Sequence, residues 1–232
     1  SFLICSLVNP NFDKSYLCLL SYVRCFSAVN LISFTPDAEK TIVYCARVSS
    51  PENQHNEETA PRLVNYLIKH KHWSPFEMAN MCVEITTSRA IATQILRHRS
   101  FSFQEFSQRY SEATKFEGIQ LRSPAEKNRQ SSSDLINDPL LQDIAQNSVD
   151  QAFRAYDLLI ENGVAKECAR GILPLNTQTK LYMNGTIRSW IHYIELRTNE
   201  DTQKEHREVA QGIKEIFIEQ FPSISEALNW TV

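Results

Sequence analysis

Glycine is the scarce residue of this chain: five in 232 positions, at Gly118, Gly163, Gly171, Gly185 and Gly212. They stand far apart, which excludes both a GxGxxG turn and a P-loop, where clustered glycines let backbone amides close on phosphate. Any nucleotide must therefore be held by side chains and helix ends. Long apolar runs are missing as well. YLCLLSYV, at 16–23, is short and flanked by Lys14 and Arg24, well under the roughly 20 residues that span a bilayer. Basic excess is absent: Lys and Arg number 24 against 27 Asp and Glu, for a formal charge of −3. That excludes a sequence-blind nucleic-acid binder and confines phosphate contact to one local site. The six cysteines form no CxxC pair and no framework spacing, which reads as reduced thiols in a cytoplasmic protein. One tight histidine pair exists, His70 and His72, but no acid or cysteine flanks it at metal-ligand spacing, so no metal is expected.

Hydrophobic residues at 42% and charged residues at 22% are ordinary for a globular chain of this length, enough for one fairly large domain. Residues 1–26 start without methionine, show no clear signal-cleavage site and hold Cys5, Cys18 and Cys25. They read as an N-terminal extension apart from a functional domain at 27–232. Within that domain LISF (31–34) predicts a strand. TPDAEKTIVYCARVSS (35–50) predicts a helix capped by Thr35, with Pro36 at its first position. TAPRLVNYLIKHKHW (59–73) repeats that opening, with Leu63, Tyr66, Leu67 and His70 at helical spacing. MANMCVEITTS (78–88) alternates through Met81, Val83 and Ile85 and reads as a strand.

RAIATQILRHR (89–99) returns to helical period, and residues 113–142, rich in Ser, Asn, Asp, Lys and Pro, read as a mobile surface segment. Helices are expected over 144–162, ending at Gly163, over 165–173 before Pro174, over 187–197 and over 202–221. The last turns Val209, Ile213, Ile216 and Phe217 inward, and TKLYMN (179–184) is a strand. The class is α+β: a small central sheet with several long helices.

The informative stretch is RHRSFSFQEFSQRY, residues 97–110. On the helical reading Arg97, His98 and Arg99 occupy a last turn, where cations complement the helix dipole. The continuation needs another explanation. Glu105, Ser107 and Arg109 are spaced by two, so in an extended stretch a carboxylate, a hydroxyl and a guanidinium face one site. Arginine pairs with phosphate in bidentate fashion and stacks on flat rings. Chemistry alone leaves a nucleotide pocket and a solvated loop both open. Arg170 and Arg197 each follow a run of core positions and call for an anion, either Glu167 and Glu195 or a ligand.

RHRSFSFQEFS fits the RHR, seven residues, Ser signature of the flavin-dependent thymidylate synthases. HWSPFE upstream, ECARGILPL downstream and GTIRSWIHYIELR after it follow in the family's order. The chain resembles that family from about Ala28 onward, and its wording is similar to the viral branch. The resemblance implies a homotetramer with FAD held where subunits meet. It implies methylation of dUMP to dTMP, with carbon from 5,10-methylenetetrahydrofolate and hydride from NADPH through the flavin. FAD would be contacted by Arg97, His98, Arg99, Ser74, Glu105 and Arg188, with His72 close by and Thr186 and His192 at flavin-facing positions. Gln94, Arg97, Glu105, Ser107, Arg109, Arg170 and Arg197 would hold dUMP, and Arg197 would stabilise negative charge on the uracil.

The chain departs from the family pattern at three places: Met78 follows SPFE where many members have His, Thr186 opens the Thr-Ile-Arg that is often Asn-x-Arg, and His192 stands where Asn is frequent. Two other readings stay in view: a homologue with altered catalysis that binds FAD and nucleotide, and an RNA-binding module stacking bases on the 97–110 aromatics. Cys168, in ECAR, reads as a small packing residue rather than a nucleophile.

Overall fold

The computed structural model describes residues 24–25, 27–128 and 130–230. YLCLLSYV and nearly all of the 1–26 extension lie outside the described residues. The strands are β1 (Arg24–Cys25), β2 (Ala28–Phe34), β3 (Asn80–Ser88), β4 (Ser102–Glu105), β5 (Phe116–Glu117), β6 (Arg122–Pro124), β7 (Ser132–Leu135) and β8 (Gln178–Thr186). The helices are α1 (Ala38–Ala46), α2 (Ala60–Lys69), α3 (Arg89–Ile95), α4 (Pro139–Glu161), α5 (Lys166–Ala169), α6 (Ile187–Arg197), α7 (Lys204–Gln220) and α8 (Pro222–Ala227). Short 3-10 turns cover Ser74–Glu77 and Arg170–Ile172.

Four strands make the central sheet in the order β2-β3-β8-β4, every pair antiparallel. Alternation decides its two faces. Met81, Val83 and Ile85 of β3 and Leu181 and Met183 of β8 are fully buried. Val83 lies opposite Met183 and Ile85 opposite Leu181. Helices α3, α6 and α7 cover this face. The opposite face is polar: Glu84 accepts from Tyr182 Oη at 2.9 Å and pairs with Lys180 at 3.0 Å. A sheet with one solvated face needs this period-two pattern.

Trp190, fully buried on α6, locks helix to sheet, because its indole Nε1 donates to the Met81 carbonyl at 2.9 Å. Beside it Phe101 lies edge-on, with ring centroids 4.7 Å apart. Phe101 also sits directly over Gly185 of β8. A Cβ there would stand 2.4 Å from a ring carbon, so this glycine is required by close approach rather than by its backbone angles.

Several boundaries differ from the sequence expectations. Thr35 does not cap α1. Its hydroxyl accepts from the Asn80 amide at 2.9 Å and extends the β2–β3 pairing, and the helix starts at Ala38, after Pro36. Helix α3 stops at Ile95, four residues early. Helix α4 starts at Pro139, five residues early, because Asp138 accepts from the amides of Leu140 and Leu141. The 113–142 segment is built structure: β6 and β7 form a hairpin with Ser123 and Ser133 hydroxyls 2.8 Å apart, and Ala113, Phe116 and Glu117 are buried. Hydroxyl pairs across strands satisfy a hairpin that hydrophobic alternation cannot reveal.

The Phe101–Gly185 contact is directly testable. Gly185→Ala should lower the melting temperature by several degrees, in line with about 1–3 kcal/mol for overpacking a core. Phe101→Leu in the same background should recover part of that loss, measured by thermal denaturation.

Candidate functional site

Helix α3 is seven residues long and ends in tightened turns, with Arg97 N bonding Gln94 O at 3.3 Å and His98 N bonding Ile95 O at 3.0 Å. Arg97, His98 and Arg99 therefore lie in the turn between α3 and β4, not in a last helical turn. Phe101 pulls that turn onto α6, and Ser189 Oγ of α6 donates to the Ser100 carbonyl at 3.3 Å. The result alternates. Arg97 and Arg99 are exposed and their side chains form no hydrogen bond or ion pair among the described residues, while His98 turns inward.

His98 packs edge-on against Tyr193, with centroids 4.8 Å apart. Its Nε2 accepts from Arg197 Nε at 2.9 Å. Burial first, and then the Arg197 charge, lower its pKa to about 4, so it is neutral near pH 7. Arg197 ends α6 half-buried. Glu195 does not pair with it, and no carboxylate of the described residues lies within ion-pair distance. Its terminal fork has no partner among the described residues.

Gln94 is held behind this cluster. Its Nε2 donates to Gln203 Oε1 at 2.7 Å, and its Oε1 lies 3.3 Å from Nδ1 of His206. His206 is fully buried, its Nε2 3.1 Å from Tyr193 Oη. Burial first, then Arg197 and His98, depress its pKa to about 3. Burial also pushes the Tyr193 hydroxyl well up, partly offset by Arg197.

Glu105 ends β4. Its Oε1 accepts from Arg89 at 3.1 Å and from Thr179 Oγ1 at 3.0 Å, which neutralises the carboxylate internally. The extended face expected for Glu105, Ser107 and Arg109 does not form. Pairing runs out at Phe106, whose amide bonds the Lys180 carbonyl at 2.8 Å, and the Ser107 carbonyl then closes a turn with Tyr110 and Ser111. Ser107 and Arg109 are exposed, and Arg109 faces Glu167 of α5 at 3.7 Å. Glu167 is thereby engaged away from Arg170, which is half-buried with no partner among the described residues. No hydrogen bond or ion pair joins Ser107, Arg109 or Arg170 to the Arg97–Arg197 cluster.

A neighbouring surface gathers the other expected flavin residues. The Ser74–Glu77 turn packs on α6, where Glu77 pairs with Arg188. Thr186 caps α6 by accepting from the Ser189 amide at 3.2 Å. His192, one turn further on, lies edge-on to Trp73 with centroids 5.1 Å apart. His72 and Ser74 are exposed beside them. Thr186 and Arg188 are thus already partnered within the protein, whereas Arg97 and Arg99 are not.

Sequence reasoning missed Arg89, Tyr193 and His206. Arg89 carries no signal, since its pairing with Glu105 depends on the strand order. His206 did carry one: with Val209, Ala210, Ile213 and Phe217 it continues the buried face of α7. A cavity of about 490 Å³ is lined by none of the residues assigned above, although Gln203 reaches it. Among the described residues no group of His, Cys, Asp or Glu is arranged to hold a metal, and no helix is long and apolar enough to cross a membrane.

A family model described as thymidylate synthase complementing protein matches residues 30–223. The chain belongs to the flavin-dependent thymidylate synthase family. It is 54% identical over 197 residues to a probable flavin-dependent thymidylate synthase of Paramecium bursaria Chlorella virus 1, covering 83% of this chain and 91% of that one. It is 51% identical over 195 residues to a flavin-dependent thymidylate synthase of Synechocystis, covering 83% and 90%. Its fold is similar to the crystal structure of a UMP/dUMP methylase, PolB, from Streptomyces cacaoi bound with 5-Br dUMP. The TM-score is 0.80 at 27% identity, over 90% of this chain and 96% of that one. The antiparallel sheet and surrounding helices are thus the family's architecture, and the likeness to the viral relative agrees with the wording of the sequence motifs.

The two depressed histidines make a stability prediction. An imidazole unfolded near pKa 6.5 but folded at about 4 or about 3 takes up its proton in the unfolded chain first. Stability is full above pH 6.5 and is lost as pH falls towards those folded values. The melting temperature should therefore drop between about pH 7 and about pH 5.5, above the ordinary carboxylate range, and the slope should be shallower in His206→Asn.

Proposed function

We propose that residues 27–232 form a thymidylate synthase domain that methylates dUMP to dTMP in a homotetramer, with 5,10-methylenetetrahydrofolate as carbon donor and NADPH as reductant through FAD. The observation that carries this reading is Arg197: half-buried, held through Nε by a neutral histidine, its fork without a counter-anion among the described residues. A guanidinium so placed favours a ligand that develops negative charge, as uracil does when its N3 side ionises. A cytoplasmic location fits the reducing conditions inferred from the thiols.

The donor set suits a flavin dinucleotide. Arg97 and Arg99 present exposed guanidinium groups, unpartnered among the described residues and suited to a diphosphate, and His72, Ser74 and His192 lie on the neighbouring surface around the Ser74–Glu77 turn and α6. Bound FAD would supply the reducing equivalents. Arg188 would contribute from its ion pair with Glu77, and Thr186 by supporting the α6 start rather than by a free hydroxyl. Glu105, already neutralised by Arg89, would orient ligand rather than transfer protons. Gln94 and Arg97 hold dUMP beside Arg197. Ser107, Arg109 and Arg170 form a second patch beside α5, and assembly from two copies would bring both patches to one nucleotide. That division favours a shared site between subunits.

The reading predicts a yellow protein that releases tritium from 5-tritiated dUMP with folate and NADPH. Arg197→Lys keeps charge but loses the fork, so turnover should fall by about two orders of magnitude or more with flavin content unchanged. Arg99→Ala should instead lower flavin content, read from absorbance of the purified protein. Equal flavin loss in both variants would refute this division of roles. Cys168, an exposed thiol on α5, has no part in the proposal. Cys168→Ala should retain most dTMP synthesis, and complete loss of turnover with flavin and fold intact would require a thiol nucleophile.

A further inference from the structure

A chain of polar groups with one direction runs behind the Arg197 cluster. It starts at Arg122, which donates to Glu205 Oε1 at 2.6 Å. Burial pushes the Glu205 carboxyl up, but hydrogen bonds from its own backbone, Arg122 and Gln203 outweigh this and keep it ionised. A carboxylate can only accept. Gln203 must therefore turn its Nε2 to Glu205, at 3.0 Å, and its Oε1 to Gln94. Gln94 in turn meets Gln203 with Nε2, and its Oε1 is directed at His206. His206 then carries its proton on Nδ1, so Nε2 accepts from the Tyr193 hydroxyl. Each amide and the imidazole tautomer are set by the charge at one end.

We propose that His206 is a positioning residue for the nucleotide site: with Glu205 and Gln203 it fixes which end of the Gln94 amide is offered to dUMP. The inference deepens the proposed function and rests on Gln94 as a dUMP-holding residue. Both amide termini are tied from behind, leaving one Nε2 proton and one Oε1 lone pair for the ligand. A freely rotating glutamine would present either end and would have to be ordered on binding. His206 contributes because it is fully buried and bridges Gln94 on α3 to Tyr193 on α6. A buried histidine serving only to fill space would not need both ring nitrogens paired with residues of the two helices that carry the site.

The test is a double-variant cycle on the FAD-loaded protein, with dUMP affinity read by calorimetry and stability by melting temperature. Gln94→Ala should weaken dUMP by about tenfold, one lost directed hydrogen bond. His206→Phe should weaken it by a similar factor with flavin content retained, and the double variant should bind no worse than Gln94→Ala alone. His206→Asn, whose amide can replace the Nδ1 donor, should recover most of the lost affinity. It also serves as the deciding variant if His206→Phe fails to fold. Glu205→Gln, which lets the chain reverse, should weaken dUMP as well. Additive losses in the double variant, or unchanged affinity in His206→Phe while Gln94→Ala is weakened, would overturn the proposal. Undiminished affinity in Gln94→Ala would instead refute the assignment of Gln94 itself, and the positioning role with it.

Discussion

The contact of Phe101 with Gly185 and Trp190 is the constraint on which the site depends. Trp190 is fixed by donating to the Met81 carbonyl, so α6 cannot slide along β3. Phe101 closes against that fixed surface because β8 has no Cβ at residue 185. The intervening turn, Arg97 to Ser100, is then pinned at both ends. Its arginines project outward because His98 must point in. Aromatic rings that looked available for stacking a ligand are instead what holds the ligand-facing turn in register.

Charge in this region is arranged by omission. Two histidines beneath the surface stay neutral through burial, so they add no positive charge to Arg97, Arg99 and Arg197. Acids are placed elsewhere: Glu105 on Arg89, Glu77 on Arg188 and Glu205 on Arg122. A surface of unneutralised guanidinium groups is unfavourable on its own. Here it is kept tolerable by exposure and by imidazoles that accept without carrying charge, and it remains receptive to anions.

The chain's order of helices and strands was largely legible, and α6 was read to the residue, because its apolar face through Ile187, Trp190, Ile191 and Ile194 is a local signal. The RHR segment was placed wrongly as a last helical turn, since α3 ends where tertiary packing of Phe101 overrides helical period. The 105–109 face was misread for a related reason: alternation in sequence does not continue β4 beyond Phe106, where a turn closed by the Ser107 carbonyl takes over although β8 itself runs on to Gln178. The hairpin at 122–135 is hydroxyl-rich and gave no hydrophobic pattern to follow. The site motif was recognisable, whereas its supports, Arg89, Gln203 and Tyr193, meet it only through folding. His206, also missed, did carry a local signal, as a histidine continuing the buried face of α7.

The scarcity of glycine has a thermodynamic consequence. A glycine-rich phosphate loop presents backbone amides that are ordered before the ligand arrives. Here anions would meet long side chains, Arg97 and Arg99, which are exposed and untethered among the described residues. Immobilising each costs on the order of 0.5–1.5 kcal/mol of rotamer entropy. Ligand association at this turn should therefore carry a favourable enthalpy opposed by an unfavourable entropy, with the arginine arms passing from many rotamers to few. Arg197, already clasped by His98 and half-buried, pays little of that penalty, so the guanidinium that would face the reacting ring is the one held ready in advance.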